Sequence, residues 1–176
     1  DVFKTNLIAL LDKISVIEKR PKDESEEHLK NDLRDFLRDT YYRDTNAINT
    51  KDKKDLVIHL DKSTNSEVGV IIEAKRPSNI GEMISADKPN KKALHELILY
   101  YLDELNKVGN FQLKQLVITN INAWYIIDAN HFDALYLLGV VAMQLNEHEL
   151  AIKLITRAIE INPHSDVCFY NLGVAL

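Results

Sequence analysis

Apolar residues recur at the spacing of an amphipathic α-helix in three segments of the chain. These segments cover residues 2–17, residues 25 to about 41, and residues 91 to about 108. Ser25 and two acids open the second of these helices. Their apolar positions are Phe3, Leu7, Leu10, Leu11, Ile14 and Ile17; Leu29, Leu33, Phe36 and Leu37; and Leu94, Leu97, Ile98, Tyr101, Leu102 and Leu105. Because residues three and four positions apart share one face of a helix, each segment is predicted to pack that face against a core.

Shorter apolar runs predict four β-strands. Two of them, residues 55–60 and 68–75, are separated by a turn at 63–66, and the other two, residues 116–120 and 124–128, by a tighter turn. All four contain the β-branched residues that favour strands. The order helix, helix, strand, strand, helix, strand, strand predicts an α/β sandwich, in which helices flank a sheet.

From about residue 131 the pattern becomes that of a helical repeat. Gly139 and Gly173 lie 34 residues apart, and each follows a leucine. Between them, Ala151, Ala158 and Pro163 occupy offsets at which a tetratricopeptide repeat (TPR) has small residues and its closing proline. The chain is therefore predicted to have two parts, residues 1–130 and a TPR-like segment at 131–176.

The TPR-like segment is predicted to hold one complete repeat, roughly residues 132–163, and the first helix of a second. Repeats cover their apolar faces by stacking, so this segment needs a further surface. We expect it to pair with a second copy in a homodimer, to dock on the first part, or to bind another protein. The residues expected to supply this surface are Leu138, Leu145, Leu150, Ile155, Ile159 and the helix at 167–176.

Composition narrows the class of protein. The 176 residues, of which 45% are hydrophobic, suffice for one ordinary domain or two small ones. The net charge of −5 argues against a protein that holds nucleic acid by charge alone. The single cysteine, Cys168, excludes an internal disulfide and favours a cytoplasmic location. No apolar run reaches the length of a membrane span, and the chain starts without methionine, which suggests a fragment.

Charged residues stand at the ends of the first two predicted strands. Asp55 opens one strand, and Glu73 and Lys75 close the next. Alternation places Glu73 and Lys75 on one side of their strand, and antiparallel pairing would bring Asp55 near them. Two carboxylates and an ammonium group predict a divalent-metal site that hydrolyses a phosphodiester. The alternative is a surface hairpin, but the apolar residues 70–72 indicate a strand that is buried on both faces.

The pattern Asp-(x)n-Glu-x-Lys resembles the catalytic core of the PD-(D/E)xK nucleases, which have the restriction-endonuclease-like fold. Residues 1–130 also resemble the N-terminal nuclease domain of single-chain restriction–modification enzymes. The segments that carry this resemblance are Glu26-Glu-His-Leu-Lys-Asn-Asp-Leu, Lys54-Asp-Leu-Val-Ile-His, Ile72-Glu-Ala-Lys-Arg-Pro, Asn90-Lys-Lys-Ala-Leu-His-Glu-Leu-Ile-Leu-Tyr-Tyr-Leu, and Val117-Ile-Thr-Asn with Trp124-Tyr-Ile-Ile-Asp. This sequence lacks the Asn-Pro-Pro-(Tyr/Phe) motif and the glycine-rich loop of the methyltransferase part.

The resemblance implies roles for individual residues. It implies a Mg²⁺ site with four ligands: Asp55, Glu73, the carbonyl oxygen of Ala74, and Glu27. Glu26 is the alternative to Glu27, and either could instead be a first-turn acid that stabilises its helix. Lys75 would orient the attacking water or stabilise charge on the phosphate. His95 would face the site from the third helix, or else be a surface residue.

The expected function is Mg²⁺-dependent cleavage of double-stranded DNA, as in restriction, without a methyltransferase in this chain. The alternative is a protein-interaction module, in which the nuclease fold is idle and the TPR-like helices bind a partner. Basic residues cluster at residues 51–54, 75–76 and 88–92, and all three clusters flank the predicted site. They would attract DNA, although any one of them could equally be a solvated loop. A natural rearrangement or an artificial fusion would explain the two-part chain.

Overall fold

The structure, a computed structural model, describes residues 1–19, 22–51, 54–144 and 146–176, without the side chains of residues 22–25 and 107. It contains two compact units, Asp1–Ile126 and Ile127–Leu176. The predicted division at residue 130 falls just inside the second unit. The side chain of the predicted N-cap Ser25, and the residues Lys53 and Leu145, lie outside the described part.

Two helices open the first unit. Helix α1 (Val2–Ile17) has the predicted bounds, and α2 (Lys22–Leu37) continues into one π-helical turn, Arg38–Tyr42. Because α2 begins at Lys22, Ser25 lies inside the helix and is not its N-cap. The charged residues at 22–24 are compatible with a first helical turn, so the helix starts earlier than the apolar pattern. The two helices share a buried cluster of Leu10, Ile14, Ile17 and Leu29.

A mixed five-stranded sheet follows, and its spatial order equals the chain order. Its strands are β1 (Ile48–Lys51), β2 (Lys54–His59), β3 (Val68–Ala74), β4 (Gln115–Thr119) and β5 (Trp124–Asp128). Strands β1, β2 and β3 pair antiparallel, and β3 pairs parallel with β4. The predicted α/β class is confirmed. Strand β1 was not predicted, because this edge strand of sequence Ile-Asn-Thr-Lys has neither an apolar run nor clear alternation.

Helices cover both faces of the central strands. On one face, Leu33 and Leu37 of α2 pack in a cluster with side chains from β2, β3 and β4. The opposite face is covered by α3 (Lys92–Asp103), which connects β3 with β4. All residues of β2, and nearly all of β3, are therefore buried. An acidic side chain on either strand is thus held inside the protein, where it needs a partner.

After α3 the chain makes a π-helical turn, Glu104–Val108, which ends at Gly109 with φ +71°. That left-handed conformation favours glycine. Glu104 is fully buried and lies 3.0 Å from Lys54 Nζ, and its Oε2 accepts a 3.1 Å hydrogen bond from Asn110. This buried network ties the end of α3 to the start of β2.

The second unit consists of α4 (Phe132–Gln144), α5 (His148–Ile161) and α6 (Asp166–Ala175). Helix α5 packs against both neighbours. A Cβ atom added at Gly139 of α4 would lie 2.6 Å from Ile155 Cγ1 of α5, whereas one at Gly173 of α6 would meet no atom within 4 Å. Glycine at 139 therefore lets α4 and α5 approach closely. Cys168 of α6 is fully buried.

The exposed apolar side chains of the second unit agree with the prediction at residues 167–176 and differ from it elsewhere. Leu138, Leu150 and Ile155 are buried, because they point into the contacts among the three helices. Ile159 is half-buried. Within the predicted range 167–176, Val167, Phe169, Tyr170, Val174 and Leu176 are exposed, and Leu137 of α4 is exposed although it was not predicted. Throughout the described ranges, every helix is too short or too polar to cross a bilayer.

Candidate active site

Strands β2 and β3 bring Asp55 and Glu73 side by side. Their antiparallel register pairs Leu56 with Ile72, so the next pair along the ladder is Asp55 and Glu73. The N–H of Ala74 donates a 2.9 Å hydrogen bond to Asp55 Oδ2, which fixes that carboxylate. Asp55 is 6% exposed and Glu73 is 1% exposed. Two acids thus meet in a largely dry setting at the ends of two strands.

Lys75 lies among three carboxylates. Its Nζ is 2.6 Å from Glu73 Oε1, 2.7 Å from Glu96 Oε2 and 3.7 Å from Glu82 Oε2. Its backbone N–H donates to the carbonyl of Thr119 at the end of β4. Burial alone would lower the pKa of Lys75, but the charges and hydrogen bonds of Glu73 and Glu96 outweigh it and raise that pKa. Lys75 is therefore a firmly held cation at neutral pH.

One oxygen of Glu73 is left open. Oε2 is buried and accepts no hydrogen bond, while Oε1 contacts Lys75, and Glu73 can share a hydrogen bond with Glu96 when one of the two carboxyl groups is protonated. Burial, and then the charge of Asp55, raise the pKa of Glu73 to about 8, although Lys75 opposes them. The Glu73 carboxyl group therefore releases its proton less readily than an exposed glutamate, and a cation that approaches it would favour the ionised form.

Residues that were not predicted complete the cluster. Lys30 of α2 lies 2.7 Å from Asp55 Oδ1, and this contact holds its pKa above the ordinary value although burial alone would lower it. From α3, Glu96 binds Lys75. Tyr100 has a pKa raised to about 12 by burial and then by the charges of Glu73 and Asp55. The sequence signal for the α3 pair was the spacing Glu96-x-x-x-Tyr100, which puts both residues on one helix face.

His95 does not face the site. Its side chain is exposed, and its ring hydrogen-bonds to Asn90. Of the two alternatives, His95 is the surface residue, because consecutive helical residues point about 100° apart. Glu96, the next residue, is the one that reaches Lys75.

The two glutamates of α2 differ in their surroundings. Glu27 is exposed, and its charge acts on Lys30 from a distance. Glu26 is half-buried, and its Oε1 is buried without a hydrogen-bond partner. Within the described side chains, neither glutamate contacts Asp55 or Glu73. Of the two alternatives, Glu26 is the one that directs an oxygen into the protein.

The donor atoms present fit a small hard cation. No group of three His, Cys, Asp or Glu side chains among the residues described is arranged to enclose a metal ion. The remaining donors are the carboxylates of Asp55 and Glu73 and the carbonyl oxygen of Ala74. Mg²⁺ is commonly held by one or two carboxylates and keeps several waters, so this set is compatible with it. A metal at Asp55 Oδ1 would have to replace Lys30.

The predicted lysine clusters are largely neutralised. Lys51 and Lys54 both approach the buried Glu104, and Arg76 lies 3.6 Å from a carboxylate oxygen of Glu18. Lys92 lies 3.4 Å from Glu82. Only Lys88 and Lys91, among the described lysines and arginines of these clusters, have no carboxylate partner. Within these clusters, the lysines without a carboxylate partner therefore both lie just before α3.

Two family models match this chain. One, described as tetratricopeptide repeat, covers residues 132–165 and confirms the TPR-like segment seen in α4 and α5. No curated protein matches the chain, and no solved structure does. The other model, described as a domain of unknown function, DUF7149, covers residues 1–144. Because this match spans well over half of the sequence, the chain belongs to the DUF7149 family.

Proposed function

We propose that the first unit is a nuclease domain of the PD-(D/E)xK type, with a restriction-endonuclease-like fold, which cleaves double-stranded DNA with Mg²⁺. One observation supports this above all. Asp55, Glu73 and Lys75 are buried together at the ends of β2 and β3, and one Glu73 oxygen accepts no hydrogen bond. Among the described residues, the buried oxygens of Glu18 and Glu104 that also accept no hydrogen bond each face a cation, whereas Glu73 Oε2 does not. The mixed sheet between α2 and α3 is consistent with the fold.

Each residue has a distinct part in the proposed reaction. Hydrolysis joins a water oxygen to phosphorus and breaks a phosphorus–oxygen bond of the backbone. When bound, Mg²⁺ would polarise the phosphate and help water to lose its proton. Asp55, Glu73 and the Ala74 carbonyl would hold it. Lys75 remains protonated, so it would position water and stabilise charge on the phosphate rather than act as a base.

A substitution at Glu73 tests the site, with a control at a residue next to the same strand. Glu73→Gln keeps the shape of the side chain and removes the charge that would bind metal, so plasmid cleavage in Mg²⁺ should be lost. Glu67→Gln makes the same change at an exposed residue just before the opposite end of β3, and cleavage should persist. If Glu73→Gln cut plasmid as fast as the parent chain, the proposed site would be wrong.

Lys75→Met separates electrostatic catalysis from metal binding. Cleavage should slow about 100- to 1000-fold, the usual effect of losing one group that stabilises the transition state. Calorimetry should find no loss of Mg²⁺ affinity, because lysine is not a ligand. A collapse of Mg²⁺ affinity in Lys75→Met would instead indicate that Lys75 is needed to hold the carboxylates in place.

A second function is favoured by the exposed apolar side chains of α4 and α6. Leu137 is 60% exposed and Tyr170 is 72% exposed. TPR helices bury their faces against neighbours, so these side chains are suited to contact with another protein surface. We propose protein binding as the role of the second unit, beside the nuclease activity of the first.

A further inference from the structure

A cavity of about 380 Å³ lies between the loop that precedes α3 and the turn that joins β4 to β5. The loop contributes Met83, Ile84, Lys88 and Lys91 to its wall, and the turn contributes Asn120 and Ala123. Pockets that take a small molecule or a nucleotide have volumes of roughly 300–1000 Å³. The cavity is therefore large enough for one such group.

The cavity adjoins the candidate active site on both sides. Glu82, which precedes Met83, has its carboxylate 3.7 Å from Lys75 Nζ. On the other side, Asn120 follows Thr119, whose carbonyl accepts the backbone N–H of Lys75 at 2.8 Å. Each wall is thus one residue away from a group that touches Lys75. The cavity is therefore lined by the sequence neighbours of two residues that contact Lys75.

The lining combines an apolar floor with a cationic rim. Met83 and Ile84 are 7% and 9% exposed, and they form a buried apolar surface. Lys88 and Lys91 add two positive charges that no carboxylate neutralises among the described residues. Asp87 and Asn120 also line the cavity and offer hydrogen-bonding groups to the edge of a base, and the carboxylate of Asp87 leaves one net positive charge on the rim. This combination suits a flat apolar ring that carries phosphates.

We propose that this cavity receives one unstacked nucleotide of the DNA strand beside the phosphate that is cut. Its base would lie on Met83 and Ile84, and its phosphates would contact Lys88 and Lys91. This inference rests on the proposed function, because it takes DNA as the substrate of the adjoining site. Unstacking a base costs free energy, and burial of the base together with the phosphate contacts offsets it.

The test compares two double variants that remove the same charge. Binding of a labelled DNA duplex is followed by fluorescence anisotropy in Ca²⁺, over a range of salt concentrations, with the full chain. Lys88→Ala/Lys91→Ala should weaken binding by at least about tenfold at 0.1 M salt and reduce the salt slope by about 1–2, as expected for two lost phosphate contacts. The control, Lys62→Ala/Lys114→Ala, removes two exposed lysines near the opposite ends of the central strands and should leave both quantities unchanged.

A third variant separates entry of a nucleotide from simple attraction of charge. Ala123→Phe fills the cavity and should weaken DNA binding at every salt concentration, with the slope unchanged. Ser85→Phe fills it from the other wall and replaces Ala123→Phe if that variant does not fold. Full binding by a folded cavity-filling variant, or equal effects of the two double-lysine variants, would overturn the proposal.

The binding measurements need no cleavage. The proposed nuclease function and the proposed nucleotide cavity can therefore be disproved independently of each other. If the parent chain binds DNA as described but does not cut it in Mg²⁺, the nuclease function is wrong and the cavity assignment stands. If it cuts DNA while the cavity variants bind normally, only the cavity assignment is wrong. A parent chain that binds no DNA overturns both.

Discussion

At the scale of single residues, the burial of Glu73 couples stability to pH. Its carboxyl group has a pKa of about 8 in the folded protein, raised by burial and by Asp55, against an ordinary value of 4.5. Between these values the folded chain keeps a proton that the unfolded chain releases. The contribution of this group to the free energy of unfolding therefore falls as pH rises from about 4.5 to about 8.

Glu73→Gln should remove this pH dependence. The variant should be more stable than the parent chain above neutral pH, by the order of a few kcal/mol, with the difference shrinking towards pH 5. Denaturant unfolding at several pH values in EDTA measures the difference. Glu67→Gln should follow the parent chain throughout. A difference for Glu73→Gln that does not change with pH would mean that Glu73 is ionised in the folded protein.

Lys30 would compete with the proposed metal for Asp55. Its ammonium group lies 2.7 Å from Asp55 Oδ1, the carboxylate oxygen that the Ala74 N–H leaves available. Lys30→Met keeps the length of the side chain and removes the charge, so Mn²⁺ or Mg²⁺ should bind roughly tenfold more tightly in calorimetry.

Lys13→Met is the matched control for Lys30→Met. It breaks another lysine–aspartate contact, the 2.8 Å pair of Lys13 and Asp32, which involves none of the site residues. Metal affinity should remain that of the parent chain. Weaker metal binding by Lys30→Met would show that Lys30 supports the site rather than competing for it.

At the scale of helices and strands, the repeat provides two equivalent glycines with unequal surroundings. Gly139→Ala would place a methyl group 2.6 Å from Ile155 Cγ1, which belongs to a stiff β-branched side chain. We expect a loss of stability of about 1–2 kcal/mol, since overpacking outweighs the gain in helix propensity. Gly173→Ala meets open space and should be neutral or slightly stabilising.

Thermal unfolding of both glycine variants checks this pair. The comparison controls for helix propensity, because both substitutions are glycine to alanine inside a helix of the same unit. Equal shifts in melting temperature would mean that α4 and α5 do not make the close contact seen at Gly139.

The elements that the sequence predicted well are those whose patterns are local. The alternation along β2 and β3 and the short turn between them determine that Asp55 meets Glu73, and the structure has that register. Lys30 and Glu96 come from helices whose rotation depends on distant packing, which no local pattern specifies. Strand β1 is defined by its ladder with β2, so its own residues carried little signal.

At the scale of the whole molecule, the second unit exposes apolar surface that a second copy could cover. Sedimentation velocity should show association that increases with concentration. Tyr170→Glu places a charge on the most exposed aromatic side chain of α6 and should leave a monomer. Ile8→Glu alters an exposed apolar residue of the first unit and should have no effect. A parent chain that stays monomeric at all concentrations would contradict self-association.

The overlap of the two family matches bears on how the parts are joined. The DUF7149 match runs to residue 144, and the TPR match begins at residue 132, so α4 belongs to both. A helix shared in this way favours a natural arrangement over an artificial fusion. The sequence alone could not distinguish these two origins of the chain. A helix at a junction shows no change in composition that would assign it to one part or the other.

The chain also carries one built-in reporter in each unit. Its single tryptophan, Trp124, is partly exposed on β5 within the first unit, and its single cysteine, Cys168, is fully buried in the second. Indole fluorescence should therefore follow unfolding of the sheet, while the rate of thiol labelling should follow opening of the repeat. The stability of each unit becomes measurable on the intact chain, without truncation and without any introduced label site.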